Sequence, residues 1–352
     1  MNLATSLNVN GLPEGDGQNE PMTDDLWARL TARLYKKDPN RKRPEARYKL
    51  NGIPTSTPGN ISTYSAQSKV GKTAAMGALV ASTYAVPGSD CLGFESSNPN
   101  GHAVIVFDTE QSIFDHAEGF ERALRRAQVA NAPPWVLSYC LTGFLAGDIR
   151  CAIRLALERG KQKFGGVHSF ILDGVADVCL DVNNAEEANN LVSELHGLAI
   201  EFDCSLVCII HVNPGSQDHK TRGHLGSQLE RKSECNFKLE RSEETTVIYA
   251  DKNRRAPIPK DKGAYFAWND DAGMHMSVAG QEGFGDRKDR VDLTELANSI
   301  FCGRPSMRYC DLITTVKTIT GKSTKTAERK VTRMTNLQII TKNDANLYIK
   351  AV

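Results

Sequence analysis

Short apolar runs alternate with polar-interrupted stretches of helical period through the middle of the chain. The runs are Ile61–Ser65, Ala103–Asp108 (AVIVFD), Ser169–Asp173 (SFILD), Ser205–His211 (SLVCIIH) and Thr245–Ala250. Between them Lys72–Tyr84, Ile113–Gln128 and Ala185–Glu201 carry apolar residues at helical spacing. A run that is apolar at successive positions, rather than at every second one, predicts a strand covered on both faces. Strands separated by helices predict parallel βαβ units. The expectation for residues 48–270 is therefore one α/β domain around a mostly parallel sheet.

The flanks read differently. Residues 1–22 are rich in Gly, Asn, Pro and acids, a composition that predicts disorder. Thr23 predicts the cap of a helix over 24–37, with Asp24 and Asp25 at its positive end and Lys36 and Lys37 at its negative end. Leu26, Trp27, Leu30 and Leu34 form its apolar stripe. The charged, proline-punctuated segment Asp38–Arg47 reads as a linker, so that 1–47 precede the α/β domain. A second linker spans 271–290, and 291–352 form a small C-terminal module.

In that module Asp292 and Glu295 fit a capping box for a helix through Phe301. Ser306 predicts the cap of a second helix ending near Gly321, and Ser323 the cap of a third from Thr324 to Leu337. A hairpin of Leu337–Thr341 and Leu347–Ala351 follows. Ala327, Val331, Met334 and Leu337 share one face of the third helix, while Lys325, Arg329, Lys330 and Arg333 lie largely away from it. Three helices and a hairpin with a basic third helix resemble a winged helix-turn-helix, which implies duplex-DNA binding through those four cations or, alternatively, docking on a protein.

Composition narrows the classes. Of 352 residues 40% are apolar and 24% charged, which excludes a disordered chain. No apolar run has the roughly 18–20 residues of a spanning helix. The N-terminus lacks the cationic start and apolar stretch of a signal peptide. The nine cysteines include no C-x-x-C pair, a pattern expected of reduced thiols in a cytoplasm rather than of structural zinc. The net charge of +1 conceals an offset: residues 287–352 hold 13 Lys and Arg against 6 Asp and Glu, and the rest 30 against 36. Such a basic tail suits a nucleic-acid partner.

The chemistry concentrates in Ala66-Gln67-Ser68-Lys69-Val70-Gly71-Lys72-Thr73, which follows a strand and opens a helix. Successive backbone N–H groups and a helix N-terminus form an anion site there. Gly71 lets the backbone approach phosphates, Lys72 reaches the β- and γ-phosphates, and Thr73 offers a hydroxyl to Mg²⁺. Ala66 replaces the first glycine of the usual pattern. Such a loop needs a carboxylate for the Mg²⁺ shell and another to activate water. Two strands end in acid, at Asp108-Thr109-Glu110 and at Asp173.

With these motifs in order, the chain resembles RecA-type ATPases, and within them the RepA/DnaB branch of hexameric replicative helicases. The resemblance spans 48–270. It implies a P-loop at Ala66–Thr73, Glu110 as the base, Asp173 as the metal-shell residue, a structural role for Asp108, and His211 as γ-phosphate sensor. It implies that loop 213–226, with His219, Lys220, Arg222 and His224, faces a central channel holding single-stranded DNA. It also implies that Lys252 and Arg254, in Asp251-Lys252-Asn253-Arg254-Arg255, reach the neighbouring subunit's nucleotide. The expected protein is a Mg²⁺- and ATP-dependent homo-hexameric motor, a helicase or initiator-like ATPase of a mobile element. The competing readings are a recombinase filament and an ATP-switched DNA-binding regulator or loader. No primase-binding domain of the helicase type is expected, since only about 50 residues precede the core.

Overall fold

The computed structural model describes residues 20–67, 69–212, 221, 223–278, 293–336, 339–343 and 346–351. The chain divides into two compact units, 1–43 and 44–352.

In the first unit α1 spans Glu20–Ala32, earlier than the predicted 24–37. Thr23 lies inside the helix rather than capping it. Pro21 near its start is tolerated because an N–H there has no intrahelical partner. At the far end Arg33 and Leu34 donate to the carbonyls of Leu30 and Thr31, tightening the chain out of the α-helix. Leu26, Trp27, Leu30 and Leu34 are exposed.

The second unit is built on a nine-stranded sheet in the order β12-β11-β10-β9-β3-β8-β7-β5-β6. Its members are β3 (Ile61–Ala66), β5 (Ala103–Asp108), β6 (Val136–Cys140), β7 (Val167–Asp173), β8 (Ser205–His211), β9 (Cys235–Ser242), β10 (Thr245–Asn253), β11 (Ala264–Asn269) and β12 (Met274–Ser277). The six strands from β9 to β6 run parallel, and β10 to β12 continue as an antiparallel meander. Three further strands, β1 (Tyr48–Leu50), β2 (Ile53–Ser56) and β4 (Phe94–Ser96), form a separate small sheet. It is tied to β7 by a 2.7 Å hydrogen bond between the Tyr48 hydroxyl and Ser169 Oγ.

Two apolar cores explain the continuous runs. Ile171, Val207 and Ile209 pack on one face with α2 (Lys72–Ala81) and α3 (Ile113–Ala127). Their chain neighbours Phe170, Leu172, Leu206, Cys208 and Ile210 pack on the other with α4 (Ala146–Phe164) and α5 (Ala185–Glu201). Side chains alternate between the faces of a strand, so a strand covered twice needs an apolar residue at every position. Each such burial contributes about 1.5–3 kcal/mol. Neither α4 nor β6 is among the elements expected from the sequence. Yet Ile149, Ile153, Ala156, Leu157 and Gly160 of α4 are buried at helical spacing, so the signal was there. Leu145, at the N-cap, provides no side-chain cap to announce the start.

The C-terminal residues hold their own core, formed by Leu293, Leu296, Ala297, Ile300, Met307, Leu312, Val316, Ala327, Val331, Met334 and Ile340. A helix over 293–300 (α7) is followed by α8 (Tyr309–Thr320), α9 (Thr324–Asn336), β13 (Ile340–Lys342) and β14 (Tyr348–Lys350). Gly321, at φ 65°, ends α8 in the left-handed conformation that glycine adopts freely. Ser323 Oγ accepts the Thr326 N–H at 3.4 Å, near the start of α9. Ser306 is not the cap of α8; its N-cap is Arg308. Met307 instead exchanges two 2.9 Å backbone hydrogen bonds with Tyr348, adding a third strand position to the hairpin. The hairpin strands are shorter than predicted, and Asp292 and Leu337 lie outside the described residues. Among the described residues no helix is long and apolar enough to cross a membrane.

Candidate active site

The geometry of the loop between β3 and α2 suits an anion. Ala66, the last residue of β3, is buried and pairs in register with His211 at the end of β8, a position with room for a small side chain. Lys69 (φ 64°) and Gly71 (φ 91°) turn the chain through the left-handed region. A Cβ on Gly71 would fall 2.8 Å from a Phe266 ring carbon, so glycine is required by packing as well as by φ. Gly71 offers no side-chain cap to α2, which leaves N–H groups of the first turn to an incoming anion. The loop is held from outside: Thr246 Oγ1 donates to the Val70 carbonyl at 3.0 Å and Arg241 to the Lys69 carbonyl at 3.3 Å. Gln67 is exposed, Val70 is buried, and Ser68 lies outside the described residues.

The sheet order converges four strand ends on this loop. β8 separates β3 from β7, and β5 lies beyond β7, with Asp108 paired to Asp173 and Asp173 to Ile209. Lys72 Nζ stands 2.7 Å from His211 Nε2 and 3.6 Å from Glu110 Oε2. His211 Nε2 is in turn 3.2 Å from that same carboxylate oxygen. One imidazole nitrogen cannot accept from Lys72 and donate to Glu110 at once, so these two hydrogen bonds are alternatives.

Asp173 is buried at the end of β7, and its Oδ1 has no hydrogen-bond partner. Burial pushes its carboxyl up to about 7; the Lys72 cation opposes the shift, and Glu110 and Asp108 reinforce it. An orphaned buried carboxylate oxygen is costly without a cation. Asp173 and Thr73 line one small cavity of about 60 Å³. Their hard oxygen donors fit Mg²⁺. Mg²⁺ bound through one or two protein oxygens takes its other ligands from phosphate and water. Asp108, by contrast, turns its carboxylate back onto its own turn, accepting the N–H groups of Glu110 and Gln111 at 3.0 Å each.

Lys252 and Arg254 are not at this site in the same chain. Lys252 Nζ donates to the carbonyls of Glu230 and Arg231 at 3.0 and 3.1 Å, and Arg254 Nη2 to that of Lys232 at 3.2 Å. These carbonyls end α6 (Gly223–Lys232), where cations complement the helix dipole. Burial and the neighbouring Arg254 hold the Lys252 ammonium below its ordinary pKa. The Arg254 N–H also bonds to Glu234, whose N–H bonds to Ile61 at the start of β3. The two cations thus lie at the opposite end of β3 from the loop, about 16–20 Å along its six residues.

Of the expected channel loop, 223–226 belong to α6, with His224 exposed on its first turn. His219, Lys220 and Arg222 lie outside the described residues. On α9, Lys325, Arg329 and Arg333 are exposed and Lys330 is half-buried, while Ala327, Val331 and Met334 face the core.

A cleft of about 290 Å³ runs from the loop between α2, α3 and the β11–β12 hairpin. No local motif in the sequence announces it. Gly77 and Gly119 form one wall, and Trp268, Met274 and His275 the other. His275 meets both Trp268 and Phe266 edge-on at 5.4 Å. An aromatic wall beside an anion loop suits a planar heterocycle. The available signal was the aromatic pattern of AYFAWN, which reads as an ordinary strand until the fold sets it beside the loop.

No protein-family model matches the chain, and no curated protein does. Among solved structures, one described as an ATPase domain is similar, with a TM-score of 0.46 and 13% identity, covering 75% of this chain and 100% of that one. That similarity is one of chain path alone.

Proposed function

We propose that this chain is a Mg²⁺-dependent ATPase of RecA type acting on DNA, working as a ring-forming replicative helicase or initiator-like motor of a mobile element. The observation that carries the nucleotide reading is the convergence of Lys72, Glu110, His211 and the orphaned Asp173 on one anion-binding loop. The backbone of residues 66–73 and the Lys72 ammonium hold the β- and γ-phosphates. Thr73 and Asp173 would hold Mg²⁺, which when bound would supply charge neutralisation. Glu110 orients the attacking water and takes up its proton; His211 touches the γ-phosphate. The base lies along the Trp268 and His275 wall.

Lys252 and Arg254 serve the site of a second copy. Their position at the far end of β3 supports this, since no side chain spans that distance. A planar guanidinium brought across a subunit boundary stabilises charge on the transferring phosphoryl group. Lys220 and Arg222 grip single-stranded DNA in the channel of a homo-hexamer. The C-terminal residues form a winged helix that meets duplex DNA through Lys325, Arg329, Lys330 and Arg333; the strand position at Met307 supports that reading.

The test separates binding from turnover. Lys72→Ala should abolish hydrolysis, whereas Glu110→Gln should retain ATP binding and lose turnover by about 10²–10⁴-fold. Normal hydrolysis by the Glu110 variant would remove that residue from the site.

A further inference from the structure

A chain of polar side chains runs from the Glu110 turn to the edge strand of the sheet. Asp108, 4% exposed, ends β5. Its Oδ1 accepts the N–H groups of Glu110 and Gln111, both at 3.0 Å. Its Oδ2 is 3.0 Å from His116 Nδ1, on the first turn of α3. His116 Nε2 is 3.1 Å from Ser138 Oγ, in the middle of β6. An ionised carboxylate only accepts, so His116 Nδ1 carries a proton; in the neutral ring Nε2 then accepts from the Ser138 hydroxyl. Burial alone would raise the Asp108 carboxyl, but the hydrogen bonds from His116, Gln111 and Glu110 outweigh it and hold it below the usual carboxylate range.

The turn is fastened from the other side as well. The Thr109 N–H donates to the Asp173 carbonyl at 3.1 Å and Thr109 Oγ1 to Asp177 Oδ2 at 2.7 Å. The backbone of Glu110 is therefore clamped between β6 and β7. Its side chain, one-third exposed, meets the ends of the Lys72 and His211 side chains. A rigid stem with a movable carboxylate is what a group needs if it is to leave Lys72 and meet a water.

Carboxylate, imidazole and hydroxyl in this sequence also make up hydrolase triads. The groove beside Asp108, His116 and Ser138 is also lined by Thr73 and Asp173, so it belongs to the site already described.

We propose that Asp108, His116 and Ser138 are positioning residues that fix the Glu110 turn in register with the phosphate loop. This rests on the reading of Glu110 as the residue that activates water. A displacement of about 1 Å at a catalytic group costs about 10²-fold, so the effect should fall on kcat.

The experiment uses the full chain, with steady-state ATP hydrolysis, ATP affinity and thermal unfolding measured for each variant. His116→Gln reaches Ser138 but not Asp108, because its amide sits at the Nε2 position. His116→Asn keeps a donor at the Nδ1 position and loses Ser138. His116→Ala and His116→Gln should lower kcat about 10- to 100-fold with ATP affinity and KM unchanged, and His116→Asn should restore a large part of it. A purely structural His116 would move Tm without this split between Asn and Gln. Where His116→Ala does not fold, the Asn and Gln variants decide alone, and equal kcat in the two overturns the proposal. Wild-type kcat in His116→Gln alongside a dead Glu110→Gln also overturns it, leaving the Glu110 reading intact. Full turnover in Glu110→Gln overturns both.

Discussion

Asp173 is where burial and charge conflict most sharply. Its folded-state pKa is about 7 against an ordinary 3.8. Between those values the folded chain holds a proton that the unfolded chain has released, so stability falls as pH rises from about 4 to 7 and then levels. Asp173→Asn removes the titration. The nucleotide-free variant should therefore lose that pH slope and unfold at a higher Tm than the wild type at pH ~8. It should also lose the extra stability that ATP with Mg²⁺ confers over ATP alone. Differential scanning calorimetry across pH checks the first and a metal titration the second; an unaltered slope would refute the Asp173 account. A stabilising substitution that destroys a site is the expected trade where function maintains an unpaired buried charge.

α9 shows how an element divides its labour. Ala327, Val331 and Met334 are buried in the C-terminal core, while Lys325 and Arg329 are exposed. The charges can thus be removed without opening a cavity. Lys325→Ala with Arg329→Ala in the full chain should stay within about 0.5 kcal/mol of wild type in stability. If the helix meets duplex DNA, affinity should fall across sequences, and the slope of log K against log salt should flatten by about 0.9 for each lost phosphate contact. Fluorescence anisotropy at several salt concentrations reads this. Unchanged duplex affinity and slope would make the module a protein-docking one.

At the scale of the whole molecule, the proposed function requires one chain to carry both halves of a phosphoryl-transfer site, on opposite ends of β3. Arg254→Ala should bind nucleotide and lack hydrolysis, and so should any variant that loses Glu110. Lys72→Ala fails for a different reason, in its own loop. Mixing or co-expressing Arg254→Ala with Lys72→Ala creates boundaries with an intact loop on one side and an intact Arg254 on the other. Those boundaries should recover partial activity, since a trans arginine contributes about 10³–10⁵ in rate. Near-normal hydrolysis by Arg254→Ala alone would instead mark a solvated surface charge, which contributes little.

Local order was legible because local physics makes it. The predicted bounds of β5 (Ala103–Asp108), α5 (Ala185–Glu201) and β8 (Ser205–His211) are those observed, since apolar runs and helical period report burial of adjacent residues directly. The strand–loop–helix around Gly71 was legible for the same reason: its glycine and lysine spacing is itself the geometry. The end of α1 was not, because Lys36 and Lys37 suit a helix terminus wherever the chain leaves the helix, and the last turn tightens after Ala32. What periodicity does not encode is which strand lies beside which. Placing β8 between β3 and β7 brings His211 to Lys72 across 139 positions and strips Asp173 Oδ1 of partners. The antiparallel return of β10 carries Lys252 and Arg254 to the far end of β3, and the β11–β12 meander sets Trp268 beside the loop of Lys69, Gly71 and Lys72. Those outcomes belong to the tertiary structure because they depend on sheet order and strand direction, which are settled by the joint packing of two cores and not by any one segment's sequence.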